Sequence, residues 1–258
     1  VVMTPLYTYG AMHGAVAVMR DVTEEYRLEK LRQDFVANVS HELRTPLSML
    51  QGYSEALLDD IASSPDERRE LAQVIHEESV RMGRLVRDLL DLARMEAGRM
   101  EIQKAETDVL PLLQRVQRKF AAFARDEVGI RLEVPKKDDS GLILKRADEN
   151  RLEQVLINLL DNAYRHSPKG TVITLRAERI VEGGNAHVRL EVEDEGQGIP
   201  PGDLPYIFER FYKADKARTR VSGNAASQSE LMTGGTGLGL AIVKNIVEAH
   251  GGKVSVRS

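Results

Sequence analysis

Two long apolar stripes with helical spacing constrain the fold of this chain more than any other feature. The first recurs every three or four residues, at Leu28, Leu31, Phe35, Val39, Leu43, Leu47 and Leu50. The second has the same spacing except for one interval of seven residues, at Leu71, Ile75, Met82, Leu85, Leu89 and Leu92. Side chains spaced in this way share one face of a helix, so each stripe predicts a long amphipathic helix.

The sequence SSPDE separates the two stripes and carries the signals of a helix start. Ser64 is placed as the N-cap, Pro65 as the first helical residue, and Glu67 completes a capping box. Gly98 follows the second stripe as a C-cap. We therefore predict a helical hairpin over residues 23–98. Two helices bury little apolar surface alone, so we expect a homodimer in which two hairpins form a four-helix bundle.

After residue 98 the pattern changes from long helices to a mixture of helices and strands. Residues 99–107 lose helical periodicity and are interpreted as a linker. The pattern predicts helices over 108–126, 148–166 and 238–249. It predicts strands over 130–134, 142–145, 171–179, 187–193 and 252–256, and an isolated β-like run over 15–19. The mixed order without a regular βαβ alternation predicts a multi-domain chain whose second part, 108–258, is a two-layer α+β sandwich.

Composition excludes several classes of function. The 258 residues carry a net charge of -4, which gives no reason to expect nucleic acid as a partner. The chain has no cysteine, so disulfides and thiolate metal sites are excluded, as is typical of a reducing cytosol. No apolar run approaches the roughly 18 residues of a membrane span, and no signal peptide is evident, so we expect a soluble chain.

His41 is a candidate reactive group on the first helix. At about 100° per residue, it lies opposite the apolar face that carries Val39 and Leu43 and is expected to face solvent. Glu42 follows directly and could accept an imidazole proton, while Thr45 lies one turn further on the same face. A solvated polar surface explains the same arrangement, so position alone leaves both interpretations open.

Paired asparagines mark the predicted helix 148–166. Asn158 and Asn162 share one helical face, and Arg165 and His166 follow at the next turn. Amide oxygens can ligate Mg²⁺, and cationic donors can bind phosphate. Exposed polar positions or helix caps are the alternative interpretation.

Two glycine-rich segments lie further along the chain. Asp194 follows a predicted strand, and Gly196 and Gly198 would let the backbone approach a flat ligand closely, although an ordinary turn has the same composition. The sequence GGTGLGLAIVK places free N–H groups and the positive end of a helix dipole at one anion site. Its glycines are Gly235, Gly237 and Gly239. Neither the Walker A pattern nor a dinucleotide-binding GxGxxG motif between strand and helix is present.

Five ordered segments together carry a family resemblance: SHELRTPL, NLLDNA, DEGQG, FERFYK and GTGLGLAIVK. In this order and at these distances they resemble bacterial sensor histidine kinases of two-component systems. The resemblance spans residues 23–258. It implies a HisKA-type dimerisation and phosphotransfer domain at 23–98. It also implies a GHKL/HATPase-type ATP-binding domain with the Bergerat fold at 108–258. Residues 1–22 resemble the end of a PAS sensor domain.

The resemblance assigns roles to residues of the first helix. His41 matches the phosphoacceptor, and Glu42 matches the adjacent acid that acts as general base. Thr45 matches the residue that positions water in relatives able to dephosphorylate their partner.

The resemblance also implies an ATP site with a Mg²⁺ ion in the second domain. Asn162 matches the main Mg²⁺ ligand, with Asn158 as a second. Asp194 matches the carboxylate that binds the adenine amino group. The remaining ATP-binding positions that the resemblance implies are Arg165, His166, Gly196, Gly198, Phe208, Phe211, Lys213, Gly235, Gly237 and Gly239. Compared with the family, the lid between Lys213 and Gly235 is several residues longer, and the last strand of the sheet is missing.

The implied function is ATP-dependent autophosphorylation of His41 followed by transfer to an aspartate of a response regulator, with phosphatase activity toward that regulator through Thr45. The resemblance implies a cytoplasmic kinase core and a full-length protein in the bacterial cell membrane, attached through segments absent from this chain. Two alternatives stay open. One is an ATP-binding scaffold without phosphotransfer, and the other is an ATP hydrolase of the gyrase or chaperone type.

Overall fold

The chain divides into two compact units, residues 1–78 and 79–258, and each is described by itself. The boundary falls inside the second long helix. The computed structural model describes residues 2–9, 11–123, 128–134, 142–213 and 235–258.

The first unit begins with a β-hairpin and continues into the first long helix. Strands β1 (Val2–Thr8) and β2 (Ala11–Val18) pair in antiparallel fashion. Strand β2 is longer than the predicted run over 15–19, and β1 was not predicted. Pro5 lies inside β1 and pairs with Ala15, and an interior proline normally argues against a strand. Helix α1 spans Thr23–Leu58 and continues through Pro46.

Helix α2 spans Pro65–Glu96, and both predicted caps are confirmed. The Ser64 side chain accepts a hydrogen bond from the Glu67 N–H at 3.1 Å, while the Glu67 carboxylate accepts from the Ser63 and Ser64 N–H groups. These backbone donors hold the pKa of Glu67 below its usual value, the Ser64 N–H contributing most. At the other end, Gly98 adopts a positive φ of 63° and donates to the Met95 carbonyl.

The apolar stripe of α1 is only partly covered within one chain. Phe35, Val39 and Leu43 are half-buried, as the periodicity predicts. Leu31 and Leu47, on the same predicted face, remain 57% and 46% exposed. Intrachain packing therefore leaves part of the predicted apolar face open.

The second unit contains the end of α2 and a mixed set of helices and strands. Its helices are α3 (Val109–Phe123), α4 (Glu149–His166) and α5 (Gly239–Ala249). Its strands are β3 (Ala105–Asp108), β4 (Gly129–Glu133), β5 (Ile143–Ala147), β6 (Val172–Glu182) and β7 (Asn185–Glu193). Strands β3 and β5 form an antiparallel pair, while β6 lies between β4, its parallel neighbour, and β7, its antiparallel neighbour.

Two details of the predicted layout are wrong. The end of the predicted linker, 105–107, belongs to β3, because Thr107 pairs with Leu144 and its hydroxyl donates to the Ala147 carbonyl at 3.2 Å. The predicted strand 252–256 has no regular structure, although Ser258 accepts a hydrogen bond from the Ile199 N–H at 2.6 Å. The end of the predicted helix 108–126 and the long lid, 214–234, lie outside the described residues.

An apolar core joins helices and sheet among the described residues of the second unit. Strand β6 places Ile173, Leu175 and Ala177 in the core and Arg176 and Glu178 on the opposite face, where Thr174 is also buried. The core is completed by Val109, Leu112, Leu113, Val116 and Phe120 of α3, and by Leu152, Leu156, Leu160 and Ala163 of α4. Helices packed on a mixed sheet confirm the predicted α+β architecture that follows a helical region.

Asp148 joins three segments at the start of α4. Its carboxylate accepts hydrogen bonds from the Arg151 N–H at 3.2 Å, which caps the helix, and from the Gln103 N–H at 3.0 Å. The Asp148 N–H donates to Nε2 of His250 at 2.9 Å. Because Nε2 accepts, the proton of neutral His250 lies on Nδ1 and is donated to the Ile246 carbonyl. Asp148 is 6% exposed, so few of these groups have water as an alternative hydrogen-bond partner.

Replacing Asp148 by alanine should destabilise the second unit by about 1 to 3 kcal/mol, because a helix cap is lost and the Gln103 N–H loses its acceptor. Urea unfolding followed by circular dichroism measures this loss. The matched control is Asp59→Ala, at the exposed C-terminal end of α1, which should change stability by less than about 0.5 kcal/mol. Equal losses for both variants would contradict this role of Asp148.

Candidate functional site

His41 lies on the exposed face of α1, as predicted, within the first unit. Glu42 is half-buried beside it, whereas Thr45 is exposed one turn later, and its hydroxyl lies 3.5 Å from the His41 carbonyl oxygen. Pro46 is buried in the same turn and has no N–H to donate. An imidazole in this position is accessible to a second reactant.

Helix α4 positions the paired asparagines through its own amphipathicity. Its buried residues Leu152, Leu156 and Leu160 pack into the core. Asn158 and Asn162 therefore face away from the core, where both are half-buried. The fold presents two amide side chains, one turn apart, on the polar face of this helix.

Asn158 contacts the first residue of α5. Its amide nitrogen donates to the Gly239 carbonyl at 3.4 Å, so its amide oxygen remains available for another partner. Leu238, the N-cap of α5, makes no side-chain hydrogen bond to the helix, although its own N–H donates to the Thr236 hydroxyl at 3.3 Å. The positive end of α5 thus lies beside the Asn158 amide of α4.

A close backbone contact joins Gly237 to the FERFYK segment. The Phe211 N–H donates to the Gly237 carbonyl at 2.8 Å, and both residues have positive φ, 60° at Phe211 and 73° at Gly237. A Cβ on Gly237 would lie 2.8 Å from the Phe211 backbone and 3.1 Å from the Tyr212 carbonyl. Only glycine fits this position.

Gly196 makes a second such contact, at the end of α4. The Asp194 carboxylate accepts a hydrogen bond from the Gly196 N–H at 2.8 Å. A Cβ on Gly196 would lie 2.6 Å from this carboxylate and 2.7 Å from the His166 carbonyl oxygen. Gly198 follows with a φ of 73°. The DEGQG loop is therefore folded tightly against the C-terminal end of α4.

The remaining residues predicted to bind ATP lie at the end of α4 and on either side of residues 214–234. Arg165 forms an ion pair with Asp161 at 2.9 Å, one turn back on the same helix. His166 is exposed at the helix end. Phe208 and Lys213 are half-buried, and Lys213 is the last described residue before 214–234. Gly235 resumes the described chain as a half-buried residue.

Two residues that sequence reasoning missed brace the FERFYK segment. The Tyr212 hydroxyl donates to the Asp203 carboxylate at 2.6 Å, and this bond raises the pKa of Tyr212 to about 12. The Tyr206 and Tyr212 rings also lie with centroids 5.8 Å apart. Because Asp203 and Tyr212 are separated by a series of turns, no periodic signal connects them.

Within the described part of the chain, no cluster of three or more His, Asp or Glu side chains is arranged to hold a metal ion. None of its helices has the length and hydropathy needed to cross a membrane.

Comparison with known domain families matches both parts of the chain. Residues 31–98 match the His Kinase A (phospho-acceptor) domain. Residues 147–258 match the histidine kinase-, DNA gyrase B-, and HSP90-like ATPase domain. His41 and Glu42 fall in the first match, and the residues of α4, the DEGQG loop and α5 fall in the second.

Individual proteins give the same result. The sensor protein SrrB of Staphylococcus aureus is 39% identical over 252 residues, which is 96% of this chain and 40% of that protein. The chain thus spans about 40% of the length of this curated relative. The structure of histidine kinase AdeS from Acinetobacter baumannii superposes with a TM-score of 0.56 at 28% identity, covering 81% of this chain and 86% of AdeS. Full-length ShkA in complex with AMPPNP gives a TM-score of 0.54 at 28% identity, covering 84% of this chain and 41% of ShkA. With a phosphoacceptor domain followed by a histidine kinase-type ATPase domain, the chain belongs to the sensor histidine kinase family.

Proposed function

We propose that this chain is the kinase core of a two-component sensor, which binds Mg²⁺-ATP and transfers the γ-phosphoryl group to His41. The observation that carries the proposal is the presence in one chain of an exposed helical histidine and of a site where paired amides meet a glycine-flanked helix start. We also propose the predicted domain division: a PAS-like end at 1–22, the phosphotransfer domain at 23–98 and the ATP-binding domain beyond the linker.

The contacts around α4 support a nucleotide site between α4, α5 and the DEGQG loop. The helix α5 start offers N–H donors to phosphate oxygens beside Asn158, which contacts Gly239. At the other end of α4, the exposed Asp194 carboxylate can accept a hydrogen bond from an adenine amino group. The ATPase domain match implies ATP as the nucleotide.

The amide groups of α4 fit a Mg²⁺ ion that arrives with the nucleotide. The Asn158 nitrogen is engaged by the Gly239 carbonyl, which turns the amide oxygen away from that contact, and Asn162 lies one turn further on the same face. Mg²⁺ commonly uses few protein ligands together with substrate phosphates and water. When bound, this ion would neutralise charge on the transferring phosphate.

The proposed transfer uses the imidazole of His41 as the nucleophile. A ring nitrogen attacks the γ-phosphorus in line, the bond from phosphorus to the bridging oxygen breaks, and ADP leaves with the electron pair. Glu42 accepts the proton that the other imidazole nitrogen loses. The phosphoryl group then passes to a carboxylate oxygen of an aspartate on a response regulator.

Exposed apolar residues of α1 support the proposed homodimer. Leu31 and Leu47 lie on the predicted apolar face and remain about half exposed in one chain, and Val36 is 57% exposed. A second hairpin that covers these side chains would complete a four-helix bundle.

We further propose that the full-length protein is held at the bacterial cell membrane. We also propose that Thr45, which is exposed one turn from His41, positions water for dephosphorylation of the regulator.

We predict that incubation with γ-labelled ATP and Mg²⁺ will place acid-labile, base-stable label on the wild-type chain and that His41→Gln will reduce this label to background. The reason is that glutamine has no nucleophilic imidazole nitrogen. Filter binding after acid or base treatment measures the label, and chelation of Mg²⁺ should abolish it.

The matched control is His76→Gln, the same substitution at an exposed histidine of α2, which should retain full labelling. Undiminished label on His41→Gln would contradict the proposal. Nucleotide binding without label would favour the scaffold alternative, and phosphate release without label would favour the hydrolase alternative.

We predict that Gly237→Ala will weaken ATP binding by at least about tenfold, because its Cβ would clash with the backbone of Phe211 and Tyr212. Titration with a fluorescent ATP analogue measures the dissociation constant, and thermal melting checks the fold. Gly202→Ala is the control, since nothing lies within 4 Å of a Cβ built there. Equal affinities for the two variants would show that the contact between Gly237 and Phe211 does not shape the nucleotide site.

A further inference from the structure

We propose that His250, the C-cap of α5, is a positioning residue for the nucleotide site at the opposite end of that helix. Its Nε2 atom accepts a hydrogen bond from the Asp148 N–H of α4, and this contact fixes the position of α5 along α4. His250 is eleven residues from Gly239, about 16 Å along the helix, so it acts on the site through α5 and not by touching a nucleotide. This role rests on the proposed nucleotide site, whereas the contact itself does not.

The end of α5 holds the backbone of His250 in place. Gly251 has a φ of 78°, and its N–H donates to the Glu248 carbonyl at 2.8 Å. The Gly252 N–H donates to the Val247 carbonyl at 2.9 Å. These two bonds form a Schellman motif, which needs the left-handed conformation that a glycine adopts readily. The motif ends the helix and gives the His250 side chain a fixed starting point.

The His250 ring is bound at both of its nitrogens. Nδ1 lies 2.8 Å from the Ile246 carbonyl oxygen, and Nε2 lies 2.9 Å from the Asp148 nitrogen. A carbonyl can only accept and a backbone N–H can only donate, so the neutral ring with its proton on Nδ1 is the one form that satisfies both contacts. The other tautomer would place two N–H groups against each other. The two partners therefore select one form of the ring.

The Asp148 N–H depends on an acceptor from outside its own helix. Asp148 is the N-cap of α4, and the N–H groups at the start of a helix have no carbonyl partner within it. Leaving a buried donor unsatisfied costs about 1 to 3 kcal/mol. Because Asp148 is buried, a shift of α5 that withdraws the His250 ring would incur this cost.

A second polar contact joins α4 to the start of α5. The Asn158 amide nitrogen donates to the Gly239 carbonyl at 3.4 Å, and a Cβ built on Gly239 would lie 3.9 Å from the Asn158 side chain. Residues 148 and 158 are ten apart on α4, and their partners 250 and 239 are eleven apart on α5. These separations correspond to about 15 and 16 Å. The match is expected for two helices that lie side by side in opposite directions.

The residues of α5 between these two contacts are held mainly by apolar burial. The helix buries Ala241, Ile242, Val243 and Ile246. Apolar burial is nondirectional and changes little when a helix shifts by a fraction of an ångström. A hydrogen bond weakens steeply when its distance and angle change. The axial position of α5 therefore depends on the polar contacts at its two ends.

This axial position matters because the start of α5 carries the N–H groups proposed to bind phosphate. All of them point along the helix axis, so a shift of α5 moves them together relative to Asn158 and Asn162. A misplacement of about 1 Å can cost an enzyme about a hundredfold in activity. Donors that hold phosphate both before and during transfer contribute uniform binding, and their loss weakens ATP affinity without slowing the transfer.

Two substitutions separate the two nitrogens of His250. Glutamine places an amide oxygen near the position of Nε2, whereas asparagine places an amide nitrogen near that of Nδ1. We predict that His250→Asn and His250→Ala will raise the dissociation constant for ATP about five- to tenfold, because the Asp148 N–H loses its acceptor. His250→Gln should stay within about twofold of the wild type. Titration of the full chain with a fluorescent ATP analogue measures these constants.

Kinetics of autophosphorylation distinguish positioning from a general loss of structure. In His250→Asn we expect the KM for ATP to rise by the same factor as the dissociation constant, with kcat within about twofold of the wild type. Partial unfolding would instead reduce the fraction of chains that bind ATP and lower kcat, with the dissociation constant unchanged. The matched controls are His187→Asn and His187→Gln, at an exposed histidine of β7, which should change neither quantity.

Nuclear magnetic resonance of the isotope-labelled wild-type chain tests the contact without any variant or nucleotide. Long-range correlation of ring protons with ring nitrogens should show a protonated Nδ1 and an unprotonated Nε2 for His250. We also expect scalar coupling across the hydrogen bond between the Asp148 amide and Nε2.

Three results would overturn the inference: a proton on Nε2 in the wild type, wild-type ATP affinity in both His250→Asn and His250→Ala, or a His250→Gln variant as weak as His250→Ala. The proposed kinase function is tested separately, by label on His41. If the affinities change as predicted while no variant carries that label, the proposed phosphotransfer fails and the role of His250 in nucleotide binding stands.

Discussion

The division of helix α4 into an apolar face and a polar face is the constraint on which the rest of the second unit depends. Leu152, Leu156 and Leu160 are driven into the core because burying them removes apolar surface from water. Helical geometry then directs Asn158 and Asn162 away from these leucines, onto a face that also carries the buried Val155. One helix thus anchors the sheet and supplies the amide groups of the proposed nucleotide site.

Close backbone packing around α4 turns this face into a site. Gly237 touches Phe211, Gly196 touches the end of α4, and Asn158 reaches the first residue of α5. Each contact joins segments that are far apart in sequence. At both glycines a methyl group would clash with neighbouring backbone atoms. The close packing of these loops therefore shapes the site. It also explains why glycine is required at both positions and why another small residue would not fit.

Sequence reasoning was accurate where a short segment contains its own signal. The capping box at Ser64 and Glu67, the glycine end at Gly98 and the exposed position of His41 were all predicted, because each depends on residues within one or two helical turns. Strand β3 was missed because its pairing with β5 is nonlocal. Strand β1 was missed because an interior proline, Pro5, argues against a strand. The predicted strand 252–256 has suitable β-branched residues but no ladder partner among the described residues.

By itself, the sequence determined that the chain has two helical stripes, an α+β second part and a set of ordered motifs that resemble a histidine kinase. These properties follow from periodicity and local chemistry, which are readable along one segment. Only the tertiary structure decided that Asp148 joins α4 to the linker and to His250, and that Asp91 meets Arg151 and Gln154. The physical reason is that a hydrogen bond between distant segments depends on how whole elements pack, which no short-range pattern encodes.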